Sequence, residues 1–297
     1  MQSDLEVIQP KLAPMTMGQQ GYEAHYQYSE TMEVTQYHCH DFYELYLHIR
    51  GGEFMGLDNQ LYRLQPNQLF IIPPFSMHGL SCTHEMRGYE RCYLNISTDV
   101  MKSLGCGQID LDHFLRSRTA QGQNTYQLTP GDAMRFASWL KELKSRESEN
   151  ASSVARFRNY TVLTELLNLI CQTVCGLEPL EGDEVSNSVI QEVLTYINNH
   201  YSQPIRIENL ARSFGVSISY LSHEFARFTN RSVYEYVLYR RVMLARQQML
   251  GNESLNTIAY DCGFNDYSNF LRSFTKIVGV SPSQYRKQLR RYSNKEL

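Results

Sequence analysis

The pattern that decides the fold occurs twice near the C-terminal end of the chain. Its first copy is residues 210–228, LARSFGVSISYLSHEFARF, and its second, about 49 positions later, is residues 258–274, IAYDCGFNDYSNFLRSF. A Phe, a Ser seven residues later and a Tyr four residues after that recur in both copies: Phe225, Ser232 and Tyr236, then Phe274, Ser281 and Tyr285. The chain therefore contains the same structural unit twice.

Each copy is typical of a helix-turn-helix, in which two short helices pack across a tight turn. The small side chains of Ala211 and Ala259 allow the second helix to approach the first closely. Gly215 and Gly263 stand at the turn, where the backbone requires a positive φ that a side chain would oppose.

The second helix of each unit has a start signal and an apolar stripe. Ser217 and Asp266 are predicted N-caps, because their side-chain oxygens can accept hydrogen bonds from free N–H groups of the first turn. The predicted buried stripe of the first unit consists of Tyr220, Leu221, Phe225 and Phe228. The opposite face, free for a partner, carries Ser219, Ser222, His223 and Arg227 in the first unit. In the second unit it carries Tyr267, Ser268, Leu271, Arg272 and Lys276.

The segment between the two units, residues 233–250, contains no Gly or Pro and is rich in helix formers. We predict one continuous helix that ends at a C-cap formed by Gly251-Asn252. Such a helix would hold the units at a fixed distance, so that their second helices can enter major-groove segments about 34 Å apart. The sequence therefore predicts a DNA-binding protein that reads two adjacent sub-sites.

The charge distribution supports this prediction. Residues 188–297 contain 14 Lys and Arg against 8 Asp and Glu, a net charge of +6, whereas residues 1–187 contain 14 against 23, a net charge of −9. The overall charge of −3 hides this division. Basic charge is concentrated in the half that holds the repeated units, as the neutralisation of DNA phosphates requires.

Residues 210–290 resemble the DNA-binding domain of AraC/XylS-type transcriptional regulators. The motifs that carry the resemblance are Leu210-Ala211, Gly215-Val216-Ser217, Tyr220-Leu221-Ser222, Arg241 with Ala245 and Leu250, Ile258-Ala259, Gly263-Phe264, Phe270-x-Arg272-x-Phe274, and Gly279-x-Ser281-Pro282-x-x-Tyr285-Arg286. The resemblance implies double-stranded promoter DNA as the partner, read by the two free faces, together with a contact to RNA polymerase. We expect the second unit, with Arg272 and Lys276, to hold DNA better than the first.

The N-terminal half is predicted to be mostly β from residue 20 to residue 97. Alternating side chains mark strands at residues 22–28 and 42–49, and turn signals at Asp58-Asn59 and Pro66-Asn67 separate short strands. This pattern favours an antiparallel barrel or sandwich. In the second of these strands one face is apolar, with Tyr43, Leu45, Leu47 and Ile49. The other face carries Glu44, Tyr46 and His48, with His38 and His40 expected nearby.

This region resembles the cupin-like sensor domain found at the N-terminus of many such regulators. The residues that match are His38-x-His40, Glu44-Leu45, Gly51, Pro73-Pro74 and His78. Three interpretations of His38, His40, Glu44 and His78 stay open: metal ligands, a pocket for a polar organic effector, or structural histidines without a ligand. We predict the effector pocket, with Tyr46 as a further lining residue, and we predict neither a metal nor a cofactor.

Residues 130–144 and 154–175 are predicted helices that cover the barrel. Their apolar positions are Met134, Phe136, Ala137 and Leu140 in the first, and Phe157, Val162, Leu163, Leu166, Leu167 and Ile170 in the second. The pair resembles the antiparallel helices that form a homodimer contact in this family. The alternative is that both stripes are core of their own chain.

The predicted fold class is a two-domain α+β protein. It has an N-terminal cupin-like antiparallel β-barrel followed by helices, and a C-terminal all-α domain with two helix-turn-helix units joined by a long helix. The predicted divisions are an arm at residues 1–20, a sensor domain at 21–176, a linker at 177–187 and a DNA-binding domain at 188–297, which opens with a helix near Ser188.

The expected function is transcriptional regulation by a protein that senses a small polar molecule, such as a sugar or related metabolite, and that is not an enzyme. No apolar stretch approaches the ~20 residues needed to cross a membrane. The N-terminus lacks the pattern of a secretory signal, and the seven Cys contain no C-x-x-C pair, so a cytoplasmic location is expected. The alternatives are a metal-dependent cupin enzyme with a DNA-binding tail, and a regulator controlled by a protein partner.

Overall fold

The computed structural model describes residues 20–32, 37–58, 60–81, 86–146, 153–182, 188–249 and 251–293. The predicted arm up to residue 19 and residues 183–187 of the predicted linker lie outside these ranges. The strands of the described part are β1 (Tyr22–Met32), β2 (Tyr43–Arg50), β3 (Phe54–Leu57), β4 (Gln60–Arg63), β5 (Gln68–Ile72), β6 (His78–Ser81), β7 (Met86–Ile96) and β8 (Thr125–Gln127).

These strands form two antiparallel sheets, as predicted. One has the order β1-β7-β2-β5-β8 and the other the order β4-β3-β6. Strand β2 lies inside the larger sheet, where it pairs with β5 on one side and β7 on the other. Buried side chains from both sheets, among them Tyr46, Met55, Phe70 and Tyr89, pack into one cluster, so the sheets enclose a common interior.

Among the described residues, four helices follow or cover the sheets: α1 (Thr98–Leu104), α2 (Leu111–Thr119), α3 (Pro130–Ser145) and α4 (Ser153–Gly176). The predicted alternation along β2 is confirmed. Tyr43, Leu45 and Leu47 share a core with side chains of α3 and α4, while Tyr46 faces the interior between the sheets. Strands β1–β8 with α1–α4 are called the β-domain below.

The predicted apolar stripes of α3 and α4 are core of their own chain, with two exceptions. Phe136, Leu140 and Leu163 are buried against the larger sheet. Met134 and Phe157, however, are 71% and 72% exposed, so the alternative that both stripes are core of their own chain does not hold for them. Met134 precedes Phe136 by two residues, and a helix turns by about 200° over that interval, which places Met134 on the opposite side.

The C-terminal part is all helical, as predicted. Its helices are α5 (Ser188–His200), α6 (Ile207–Ser213), α7 (Ile218–Thr229), α8 (Val233–Gln248), α9 (Leu255–Asp261), α10 (Tyr267–Val278) and α11 (Pro282–Ser293). They are called the helical domain below. No helix within the described ranges is long and apolar enough to cross a membrane.

Both predicted helix-turn-helix units are present, as α6 with α7 and as α9 with α10. Gly215 and Gly263 have φ values of 68° and 88° at the turns. A Cβ at Gly263 would lie 2.6 Å from the carbonyl oxygen of Ser202, so this turn also requires close packing that only Gly allows.

Two local predictions in the helical domain were wrong. Tyr220 is 43% exposed, because the buried residues Leu221, Phe225 and Phe228 already fill the face that turns inward and Tyr220 lies about 100° away from it. The long helix α8 ends at Gln248, before the predicted Gly251-Asn252 cap. Its C-cap is Met249, whose N–H bonds to the carbonyl of Ala245 and closes the last turn.

The two domains pack directly on each other. Five buried residues of the β-domain belong to the core of the helical domain: Tyr37, Cys39, Phe54, Leu61 and Met77. The ring of Tyr37 fits over two glycines of the smaller sheet, since a Cβ at Gly56 would lie 1.3 Å from the Tyr37 hydroxyl oxygen. The apolar core is therefore continuous across the domain boundary.

Candidate nucleic-acid interface and effector site

The predicted DNA-reading face of the first unit is open to solvent. Ser217 caps α7 by accepting a hydrogen bond from the Tyr220 N–H at 3.1 Å, and Asn230 ends the helix in the left-handed conformation. The side chains of the predicted set, Ser219, Ser222, His223 and Arg227, are all exposed. They are available to a partner even though the β-domain packs on the helical domain.

The second unit presents the equivalent face on α10. Asp266 caps this helix by accepting from the Asn269 N–H at 2.7 Å. Ser268, Leu271, Arg272 and Lys276 are exposed, and Tyr267 is partly buried against Phe270. Both predicted N-caps are thus confirmed, and the candidate reading residues lie on the outer side of their helices.

The two faces differ in how much of their positive charge is free. In the first unit, Glu224 binds Arg227 at 2.7 Å and His223 at 3.2 Å, and the hydrogen bond from Arg227 lowers the pKa of Glu224. In the second unit, neither Arg272 nor Lys276 forms an ion pair with any residue that the structure describes. The positive charge of α10 is therefore more available to phosphate or to a guanine edge.

Three residues of the predicted effector set converge in the β-domain, and they are called the His-Glu cluster below: His40, Glu44 and His78. Their ligand atoms all lie within 4.8 Å of one another. Glu44 Oε2 is 3.1 Å from His40 Nε2 and 3.5 Å from His78 Nε2. His40 and His78 are buried, and the Glu44 side chain is 12% exposed.

The other ring nitrogens determine the chemistry of the cluster. His40 Nδ1 lies 2.8 Å from the carbonyl of Phe42, and His78 Nδ1 lies 3.0 Å from the carbonyl of Ser76. Because a carbonyl can only accept, both Nδ1 atoms carry a proton. In a neutral imidazole the lone pair is then on Nε2, the atom that faces the Glu44 carboxylate.

Burial lowers the pKa of His40, so this ring is neutral near pH 7. Burial also works to raise the pKa of Glu44, but where an Nε2 atom of the two rings carries a proton it donates to this carboxylate, and that donation holds the pKa of Glu44 well below its usual range. A neutral Nε2 and a carboxylate oxygen repel each other unless a cation or a hydrogen-bond donor lies between them. The cluster is therefore suited to bind either a donor group of a ligand or a divalent cation.

The donor set also meets the requirements of a metal site. Two imidazole Nε2 atoms and a carboxylate oxygen are common ligands of a divalent ion. Each imidazole is oriented by a hydrogen bond from its Nδ1 to a backbone carbonyl, as metal-binding histidines usually are. His78 Nε2 is buried and has no hydrogen-bond partner within the described residues.

The remaining two residues of the predicted set lie beside the cluster. The ring of His38 is 4.4 Å from that of His78, but His38 is not among the converging ligands. Tyr46 shares a face of β2 with Glu44, yet its hydroxyl bonds to that of Tyr89 in the interior between the sheets. The structure thus places three of the five residues together.

The residues around His40 also make contacts that the sequence analysis missed. Residues 37–41, called the bridging segment below, run between the two domains and contact both. The even residues face the β-domain: His38 pairs with His78 through two backbone hydrogen bonds of 2.9 Å. The odd residues Tyr37, Cys39 and Asp41 face the helical domain.

Each odd residue of the bridging segment bonds to a different part of the helical domain. The N–H of Tyr37 donates to the carbonyl of Thr229 at 3.0 Å. The N–H of Cys39 donates to the hydroxyl of Tyr239, which in turn donates to the Cys39 carbonyl. The alternation of side chains in YHCHD, residues 37–41, was the one sequence signal that this segment has two different faces. Nothing in the sequence indicated that the face with the odd residues contacts the helical domain.

The fold and the two candidate sites define a class of protein: an antiparallel β-domain with a buried polar cluster, joined to paired helix-turn-helix units with open outer faces. Family models agree with this division. A helix-turn-helix domain matches residues 210–288, and an AraC-like ligand binding domain matches residues 20–167.

Three relatives illustrate the similarity. The regulatory protein SoxS of Escherichia coli strain K12 is 31% identical over 102 residues, 34% of this chain and 95% of SoxS. The HTH-type transcriptional activator RhaS of Pectobacterium atrosepticum is 23% identical over 84% of this chain and 87% of RhaS. The uncharacterized HTH-type transcriptional regulator YdiP of Escherichia coli strain K12 is 35% identical over 34% of each chain, so the match spans about a third of YdiP. The chain belongs to the AraC/XylS family of transcriptional regulators.

Proposed function

We propose that this chain regulates transcription by binding promoter DNA in the major groove through α7 and α10. The observation that carries the proposal is the pair of exposed faces, Ser219 to Arg227 and Tyr267 to Lys276, joined by the single helix α8. The capping box at Ser232, in which Ser232 and Glu235 satisfy each other's backbone N–H, fixes the start of that helix. The two faces can then contact DNA as one body.

The DNA-binding part is tested on a duplex that the protein selects from a random library. Arg272→Ala is expected to weaken binding to the selected duplex by about tenfold or more, because a side chain that reads a base contributes about 1–3 kcal/mol. Lys102→Ala is the matched control, since Lys102 is an exposed cation on α1 in the other domain. Equal affinities for the two variants would remove Arg272 from the interface.

We propose further that the β-domain is the sensor and that its effector binds at the His-Glu cluster. A small polar molecule, such as a sugar or related metabolite, would place a hydroxyl or amino hydrogen between Glu44 and the Nε2 lone pairs. A divalent cation is the second candidate for the signal, favoured by the same lone pairs. His40→Ala is expected to abolish stabilisation by either ligand in a thermal unfolding screen of metabolites and metal salts, and a preserved shift would exclude the cluster.

The bridging segment supports a route from the sensor to the DNA-binding units. His40 lies in the cluster, and the next residue, Asp41, binds Arg246 of α8. A ligand that moves His40 therefore acts on the helix that joins both reading units. The effector can change the DNA affinity by no more than the difference in its own affinity for the two domain arrangements.

The remaining partners are proposed from the family resemblance and from exposed apolar residues. The stripes of α3 and α4 are buried, but Met134, Val154 and Phe157 are exposed on the same helices, and we assign the homodimer contact to them. An RNA polymerase contact and a cytoplasmic location follow from the proposed activity on promoters. We propose no catalytic activity, and the rival, a metal-dependent cupin enzyme, would require turnover that depends on metal at the His-Glu cluster.

A further inference from the structure

A polar cavity of about 330 Å³ lies between the two domains, apart from the His-Glu cluster and from the DNA-reading faces. On one side it is lined by Asp58 and by the loop that contains Phe75 and Ser76. On the other side it is lined by residues of α5 and α8, including Asn198 and Arg240. Because both domains form its walls, the cavity exists only while they are packed together.

Two buried donors of residues that line this cavity have no acceptor among the described residues: Arg240 Nε and Asn198 Nδ2. One other polar atom of each side chain forms a hydrogen bond that holds the side chain in place. Arg240 Nη1 donates to the carbonyl of Phe75 at 2.8 Å, and Asn198 Oδ1 accepts from the Tyr236 hydroxyl at 3.2 Å. A fixed donor that is left unpaired and buried is costly, so these atoms are suited to a ligand that brings acceptors.

The charges of the cavity favour an anion. No carboxylate of the described residues forms an ion pair with Arg240. Asp58, the acidic residue of the lining, already accepts hydrogen bonds from Ser76 Oγ at 2.8 Å and from the Met77 N–H at 2.9 Å. The guanidinium of Arg240 is therefore the charged group of the lining that can still form further hydrogen bonds. A guanidinium binds carboxylate and phosphate more strongly than it binds neutral acceptors.

Phe75 links this cavity to the candidate effector site. Its φ is 67°, a strained value for an aromatic residue, of the kind that often marks a functional position. Its N–H donates to the carbonyl of His40 at 2.7 Å, and its carbonyl accepts from Arg240. One strained residue thus connects the backbone of the His-Glu cluster with the donor that lines the cavity.

We propose that this cavity is a second effector site, for a small organic or inorganic anion that carries a carboxylate or phosphate group. At about 30 Å³ for each water molecule, its volume corresponds to about ten waters, which suits a small organic acid or phosphate compound. Arg240 Nε and Asn198 Nδ2 donate to the anion. Because residues of both domains line the cavity, an anion bound there stabilises the packed arrangement of the domains.

The test measures thermal unfolding of the full chain with inorganic phosphate, succinate and citrate, and with glycerol as the uncharged comparison. We expect a saturable rise in melting temperature with phosphate or with a carboxylate, and the two arms identify which group the site prefers. Arg240→Gln and Asn198→Asp are expected to weaken this response at least tenfold. Asn198→Asp keeps the acceptor for Tyr236 but turns the free donor into a negative oxygen.

Two controls separate this site from the others. Arg212→Gln removes an exposed guanidinium on α6 and should leave the response unchanged. Lys102→Gln removes an exposed cation of the β-domain and should also leave the response unchanged. The proposal is overturned if no anion stabilises the wild-type chain more than glycerol does, which means that solvent satisfies both donors. It is also overturned if Arg240→Gln, Asn198→Asp and Arg212→Gln all respond like the wild type.

Discussion

Asp41 and Arg246 form an ion pair of 2.8 Å that joins the β-domain to the long helix of the helical domain. The Arg246 side chain is completely buried, and the hydroxyl of Tyr285 on α11 lies beside both residues, 3.1 Å from Arg246 Nε and 3.3 Å from Asp41 Oδ2. The residue before Asp41 is His40 of the His-Glu cluster. His40 of the candidate effector site is therefore adjacent in sequence to Asp41, which binds the buried Arg246 guanidinium of the DNA-binding half.

The first prediction concerns the stability of this contact. Asp41→Asn leaves the Arg246 guanidinium buried without its counterion, and we expect the free energy of unfolding in urea to fall by about 3 kcal/mol. Glu142→Gln is the comparison, because it removes a pair with Arg146 whose side chains are 29% and 37% exposed. It should cost less than about 1 kcal/mol. Similar losses for both variants would show that Arg246 does not depend on Asp41.

The second prediction concerns the ligands of the His-Glu cluster. Calorimetric titration with Zn²⁺ or Ni²⁺ should show an affinity that drops about 100-fold or more in His40→Ala and in His78→Ala, because each supplies one Nε2 ligand. His38→Ala is the matched control, since its ring lies next to that of His78 but outside the converging set. If His38→Ala weakens binding as much as His78→Ala does, the assignment of the three ligands is wrong.

The third prediction is a pH dependence of stability from His48. Burial lowers the pKa of His48 to about 4, whereas an unfolded histidine titrates near 6.5. The unfolded chain therefore binds more protons between these values, so the stabilisation is present above about pH 6.5 and is lost as the pH falls towards 4. Protonation of His48 lowers the free energy of unfolding by about 3 kcal/mol across that pH window. The lowered pKa of His40 acts in the same direction.

His48→Leu should flatten the pH dependence of the free energy of unfolding between pH 6.5 and pH 4. His113 is exposed on α2 and provides the control, and His113→Leu should keep the slope of the wild type. An unchanged slope in His48→Leu would mean that His48 gains a proton as readily in the folded chain as in the unfolded one.

The fourth prediction concerns the inequality of the two reading units. His223 shares Glu224 with Arg227, whereas Arg272 has no such partner in the described structure. We therefore expect His223→Ala to reduce affinity for the selected duplex by less than threefold, while Arg272→Ala reduces it by about tenfold or more. Fluorescence anisotropy at one fixed salt concentration measures both, and a larger effect of His223→Ala would reverse the assignment.

Sequence alone predicted the features that depend on local rules. Ser217 and Asp266 were identified as caps because the capping oxygen acts within three residues, and Gly215 and Gly263 because only a turn with positive φ explains them. Spacing was less reliable at the edge of an apolar stripe. Tyr220 was assigned to the core as part of an apolar stripe at helical spacing, although its position on the helix points away from the core.

The interface between the domains could not be predicted from sequence. Arg246 is a residue type that is normally exposed, and its partner Asp41 is 205 positions away. Within the predicted effector set, alternation placed Glu44 and Tyr46 on one face, but it gave no sign that the Tyr46 hydroxyl bonds to Tyr89 in another strand. Such pairings arise from tertiary packing, which leaves no periodic signal in the chain.

The most direct measurement is hydroxyl-radical footprinting of the full chain on a duplex selected from a random library. Two reading helices joined by α8 predict two protected segments on one face of the DNA, about 34 Å apart, and Arg272→Ala should remove the segment bound by the second unit. A single protected segment in the wild type, or two segments that persist unchanged in Arg272→Ala, would contradict the proposal that this regulator reads DNA with both units.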